Sequence, residues 1–104
     1  MKVYSGFNRL YHSVLADFWK QATAARLNIQ SFADFKENFK SLNSEYPTKD
    51  GKPVSTKDLD NKQMLNHLTF IIDFASYYGF ELKFVKDEWE RLMRSVGARN
   101  ENNI

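Results

Sequence analysis

The chain of 104 residues has no cysteine, two prolines, four glycines and two histidines, and each shortage closes off a class of chemistry. Without cysteine there is no disulfide, no thiolate nucleophile and no thiolate zinc site, which argues against a small disulfide-stapled secreted scaffold. Gly6, Gly51, Gly79 and Gly97 stand too far apart for a phosphate-binding loop or a dinucleotide fingerprint, and no Gly-x-Ser-x-Gly elbow is present. No aliphatic and aromatic run exceeds Phe70-Ile71-Ile72, whereas a membrane span needs about 20 mostly apolar residues. The segment Met1–Arg9 lacks the apolar stretch of roughly 7 to 15 residues that a secretory signal carries. A soluble, cytoplasmic chain with no membrane partner is expected. Fifteen basic against thirteen acidic residues leave a net charge of +2, too little to specify nucleic acid as the partner.

What the chain does have is aromatic mass: nine Phe, five Tyr and two Trp, 15% of all residues. That content separates it from disordered sequences, which are poor in aromatics, and the length suits a single domain. The expected architecture is all-α, a compact single-domain bundle of about four helices over residues 1–98, followed by a polar tail at 99–104.

Hydrophobic spacing defines the helices. Phe7, Leu10, Tyr11, Val14, Leu15, Phe18, Ala22 and Ala25 recur at intervals that stack on one helical face, with Ser5 as N-cap and an end near Arg26 or Leu27. Ser31 with Asp34 reads as the start of a second helix, an acidic variant of the capping box. Phe32, Phe35, Phe39, Leu42 and Tyr46 follow, and Pro47 closes it. From Pro47 to Lys57 a long loop contains Pro47, Pro53 and an Asp50-Gly51 turn signal, where a small hairpin fits, and almost nothing to bury. Asp60 with Gln63 is a stronger capping box for a third helix over about Asn61–Tyr78, closed by Gly79. Phe80, Leu82 and Phe84 alternate with Glu81 and Lys83, the pattern of a short strand or of an extended connector. Val85, Trp89, Leu92 and Val96 return to helical spacing behind the capping pair Asp87 and Glu90, so a fourth helix is expected from Glu88 to about Val96.

The third helix is apolar on two stripes: Met64, Leu68, Ile71, Ile72, Ala75 and Tyr78 on one, His67, Phe70, Phe74 and Tyr77 on the other. A helix apolar around roughly two-thirds of its circumference must be covered on two sides. Either it is the central helix, touching helix one through one stripe and helix two or four through the other, or Phe70, Phe74 and Tyr77 form a ridge for a partner or for homodimerisation. Trp19 lies about 90° off the centre of its helix's apolar stripe. It closes the rim of a wide core face or joins Arg26 as an anchor pair at an interface.

Catalytic inventory is thin, and an enzyme is not expected: no catalytic, cofactor-binding or metal-binding residue is assigned. Asp58-Leu59-Asp60 opens no calcium loop, since the sixth position is Gln63 and the twelfth Thr69. His67 reads as a partly buried core residue, not as a ligand. The favoured function is a small non-catalytic protein-binding module of inhibitor, immunity or adaptor type, with Trp19, Arg26, Phe70, Phe74 and Tyr77 as partner-binding residues. The alternative is a DNA-binding protein with a degenerate helix-turn-helix over residues 64–96, read by Lys83, Lys86, Arg91 and Arg94. It is disfavoured because Asp87, Glu88 and Glu90 lie among those cations and carboxylates repel phosphate. The remaining basic bias is Lys2, Arg9, Lys20 and Arg26 against Asp17 alone in the first 30 residues, suited to an acidic partner protein or a phosphate backbone, though so sparse a charge set is usually only a solvated face.

Overall fold

The computed structural model describes residues 5–84 and 86–96. The tail 99–104, Gly97 and Val85 lie outside the described residues. Four helices carry the fold as expected: α1 (Ser5–Ala24), α2 (Phe32–Leu42), α3 (Asn61–Tyr77) and α4 (Lys86–Val96). A two-stranded hairpin, β1 (Thr48–Lys49) and β2 (Lys52–Pro53), and a single 3-10 turn at Thr56–Asp58 separate α2 from α3. No helix among the described residues is long and apolar enough to cross a membrane.

The centre of the bundle is α1, which packs against α2, α3 and α4. Its stripe Phe7, Leu10, Tyr11, Val14, Leu15, Phe18 and Ala22 is buried throughout and meets Met64, Leu68, Ile71 and Ala75 of α3, Phe35 and Phe39 of α2, and Leu92 of α4 in one core. In turn α3 is covered by α1 and α4, while its second stripe reaches α2 through Phe39, whose ring lies 5.0 Å from Phe74 and 6.3 Å from Phe70. The first stripe is thus covered except at Tyr78, whereas the second is covered in part: His67 is buried, Phe70 and Phe74 are half-buried and Tyr77 is exposed.

Helix ends follow local chemistry, with corrections. The described part of α1 starts at Ser5, so the expected Ser5 cap lies at the edge of the described residues. The last turn of α1 closes at Ala24, earlier than expected. Arg26 takes φ 63°, its amide donates to the Thr23 carbonyl, and the Leu27 amide donates to that of Ala22. This is a Schellman motif with arginine in the left-handed position usually given to glycine. The same motif closes α3, with Gly79 at φ 87° and amides of Gly79 and Phe80 donating to Ser76 and Ala75.

Ser31 caps α2, its hydroxyl accepting from the Asp34 amide. The helix stops at Leu42, well before Pro47, because Asn43 turns extended and spends its side chain elsewhere. Tyr46 is therefore a buried loop residue that donates to the Val54 carbonyl at 2.7 Å. The Asp60–Gln63 capping box of α3 is complete in both directions, at 2.7 and 3.0 Å. Asp50 and Gly51, both at positive φ, form the hairpin turn whose twist matches paired strands, with Thr48 opposite Pro53. Of the expected loop, Thr56 is buried, and Leu59 just beyond it is fully buried.

Finally, α4 begins at Lys86, so Asp87 lies inside its first turn beside Glu88 and cannot cap it. Carboxylates there still favour the positive end of the helix.

Candidate functional site

An open cleft of about 330 Å³ lies where the ends of α1 and α3 meet the face of α2. Its floor is aromatic because three helices deliver phenylalanines to one point. Phe18 of α1 packs edge-on to Phe35 at 5.2 Å and tilts against Phe39 at 5.3 Å. Phe39 meets Phe74 of α3 at 90°, and Phe80, carried past the Gly79 cap, comes within 5.9 Å of Phe18. The two edge-to-face pairs, Phe18 with Phe35 and Phe39 with Phe74, attract beyond simple burial. The rim is formed by Leu27, Asn28, Gln30, Asn38, Leu42 and Tyr78. None of the lining residues is charged. Two other hollows differ: one of about 500 Å³ beside α2 and α3 carries Glu45, Lys62 and Asp73, and one beside the 80–83 connector carries Asp17, Glu81 and Lys83.

The loop after α1 forms one lip of the cleft and is firmly built. The Trp19 indole N–H donates to the Gln30 carbonyl at 2.9 Å, and the Asn28 side chain bonds Thr23 Oγ1, the Gln30 carbonyl and the Gln30 amide. Yet this loop holds Leu27 largely exposed and Ile29 99% exposed. Neither side chain joins the core cluster.

The expected partner-binding residues divide around this site. Phe74 is in the cleft wall. Trp19 is half-buried, edge-on to Phe32 at 5.7 Å, and supports the lip through Gln30. Arg26 is exposed and sets the chain reversal that leads into the lip. Tyr77 is 84% exposed and touches the cleft only through Tyr78, 5.2 Å away. Phe70 lies apart, in the charged hollow. Sequence reasoning missed Leu27, Leu42 and Tyr78. Leu42 and Tyr78 were assigned to core stripes, and their exposure depends on where α2 and α3 stop.

The remaining polar chemistry is internal. His67 is fully buried, more deeply than its partly buried reading. The Asn43 carboxamide oxygen accepts from the Glu45 amide at 3.1 Å, which turns its nitrogen toward His67 Nδ1 at 3.0 Å. Nδ1 is therefore the acceptor and Nε2 carries the proton. Burial, then the charge of Lys40, pushes the imidazole down to about 4, and burial raises the hydroxyls of Tyr11 and Tyr46. Tyr11 Oη and His67 Nε2 have no hydrogen-bond partner among the described residues. Sealed from solvent between Tyr11 and Tyr46, His67 has no surface to offer a substrate.

The connector 80–84 takes no regular secondary structure and pairs with no strand among the described residues. It is clasped to α1 by Asp17, which accepts from the Lys83 amide at 2.7 Å, and by Gln21, which donates to the Glu81 carbonyl at 2.7 Å. The segment joining α3 to α4 is thus longer than the three- or four-residue turn of a helix-turn-helix. On α4, Glu88 is buried and bonds Arg9 at 2.8 Å, while Lys86 faces Glu90 at 4.0 Å. The chain matches no protein-family model, no curated protein and no solved structure.

Proposed function

We propose that this chain is a non-catalytic protein-binding module of inhibitor, immunity or adaptor type, which docks apolar side chains of a partner chain on the aromatic cleft. The observation that carries the reading is the uncharged cleft floored by Phe18, Phe39 and Phe74 and rimmed by exposed Leu27, Leu42 and Tyr78. Aromatic residues, Phe and Tyr among them, are enriched at the cores of protein interfaces.

Affinity capture from the native host, followed by mass spectrometry, tests it. Leu42→Lys and Tyr78→Ala should lose the captured partner while retaining the helical circular dichroism of the parent. Met93→Lys, at an exposed position on α4 outside the cleft lining, should keep it. Equal capture by the cleft variants would overturn the proposal. Retardation of duplex DNA that weakens steeply with salt and disappears on substituting Lys83, Lys86, Arg91 and Arg94 would replace it with the nucleic-acid reading.

A further inference from the structure

We infer that residues 44–55 are an acid-released strap, latched over His67 by an Asn43 carboxamide whose one orientation fits only a neutral imidazole, so that protonation of His67 lifts the strap while the helices stay packed. The latch is set by a group that cannot change role. A backbone amide only donates, so the Glu45 amide, 3.1 Å from Asn43 Oδ1, holds that oxygen and turns the Asn43 nitrogen to His67 Nδ1 at 3.0 Å and Asn66 Oδ1 at 3.4 Å. Asn66 in turn donates to Glu45 Oε1 at 2.7 Å.

An imidazolium carries a proton on both nitrogens, so its Nδ1–H would face the N–H groups of Asn43. Rotating the carboxamide would satisfy Nδ1 but set the Asn43 nitrogen against the Glu45 amide. Either way two donors face each other at a buried site, where an unmade hydrogen bond costs most. The conflict ends once Glu45 moves away, because Asn43 can then rotate and accept from Nδ1–H.

Little else holds the strap down. Between Asn43 and Thr56, Tyr46 alone is buried. Its ring lies 4.6 Å from that of His67, and its hydroxyl donates to Val54 within the same segment, so the hairpin travels with it. The two ends are held separately: the Asn43 amide donates to the Phe39 carbonyl of α2, and Thr56 bonds Asn8 of α1 at 3.3 Å. A segment with one buried side chain and fixed ends opens at lower cost than helices that share the core.

Titratable groups approach the imidazole from three sides. Tyr11 of α1 faces it at 5.8 Å, with His12 beside Tyr11 and Lys36 acting on His12. From α2 the Lys40 ammonium bears on it, paired with Glu37 at 3.0 Å. The strap brings Tyr46, on which Glu37 and Asp58 act, and Glu45, which reaches His67 through Asn43 and Asn66. Burial, and then Lys40, disfavour the imidazolium while the strap is closed. Opening returns the ring to water and to its ordinary affinity for a proton, so the strap holds at neutral pH and acid favours its release.

Hydrogen exchange of the full chain, followed by NMR and corrected for intrinsic rates, tests the inference. From about pH 7 to about pH 4.5 the opening equilibrium reported by the Glu45, Tyr46 and Val54 amides should rise about tenfold or more, while the Leu15 and Ile71 amides of the core helices change less. His67→Gln keeps an acceptor for Asn43 and should hold the strap closed over the same range. Asn43→Asp keeps an acceptor for the Glu45 amide and offers a second to Nδ1–H, so it should flatten or reverse the response and raise the pH at which the His67 ring titrates. Glu45→Gln keeps an acceptor for Asn66 and should respond as the parent does. Strap amides that follow the core amides at every pH, an undiminished response in His67→Gln or Asn43→Asp, or loss of the response in Glu45→Gln overturns the inference.

Discussion

The two ends of α3 are made of similar material and have opposite fates. At its N-terminal end, Asp60 and Gln63 close the cap, and His67 is buried against Tyr11, Tyr46 and Asn43. At its C-terminal end, Phe74 forms a cleft wall, Tyr78 a rim, and Tyr77 points outward. The contrast teaches that aromatic content by itself does not distinguish core from surface. What distinguishes them is whether a neighbouring segment arrives to cover the rings. The loop after α2 folds over the first end through Tyr46, whereas α2 and the loop after α1 flank the second without closing over it.

Phe39 tests the contrast most severely, because its ring belongs both to the core and to the open floor. Phe39→Ala should cost about 3 to 5 kcal/mol in urea denaturation, the range for truncating a buried phenylalanine. Near-native stability would mean that the cleft floor is not continuous with the core.

The closed end should be sensitive to acid. His67 is neutral when folded, with its value lowered to about 4 from an ordinary 6.5, so the unfolded chain binds the extra proton between those limits. The stabilisation is complete above pH 6.5 and is lost as pH falls toward 4, by about 3 kcal/mol. His12, lowered by burial and then by Lys36, acts in the same direction. Protonation would place a second donor against the Asn43 amide. His67→Gln keeps an acceptor for Asn43 and should fall less steeply over this window than the parent; identical slopes would show that His67 does not carry the effect.

The two Schellman ends give a smaller, opposite pair. Gly79→Ala forces a side chain into the left-handed region and should cost about 1 kcal/mol, whereas Arg26→Gly relieves the same strain and should gain up to about 1 kcal/mol in thermal unfolding. Loss of stability in Arg26→Gly would mean that the arginine side chain itself holds the lip of the cleft. Smallest of all is Tyr77→Ala, which should change stability by about 0.5 kcal/mol or less. A larger loss would place this exposed ring within the fold's own support.

Much of the architecture was legible because it is written in short-range chemistry. Spacings of three and four residues mark all four helices, and Ser31, Asp60 with Gln63, and Gly79 mark three of their ends. Asp50-Gly51 marks the hairpin. Each of these devices works through hydrogen bonds or backbone preferences within a few residues, so a linear reading captures it. Less of the candidate site was legible. Phe74 was recognisable as lying on a second stripe of α3, but Leu27, Leu42 and Tyr78 carry no local mark of exposure.

The tertiary structure decided what depends on segments far apart in the chain. Glu88 reads as a surface carboxylate until α4 lies against α1 and Arg9 meets it from 79 positions away. Phe80, Leu82 and Phe84 were open to two readings until Asp17 and Gln21 clasped the backbone of Lys83 and Glu81 between them to α1. Arg26 gives no sign of a left-handed backbone in its side-chain type, and that conformation directs the loop that forms one lip of the cleft. The sequence alone therefore determined which faces are apolar, because periodicity is a property of one helix. Which apolar face stays open was settled only by packing, because covering it requires a neighbour that no local pattern specifies.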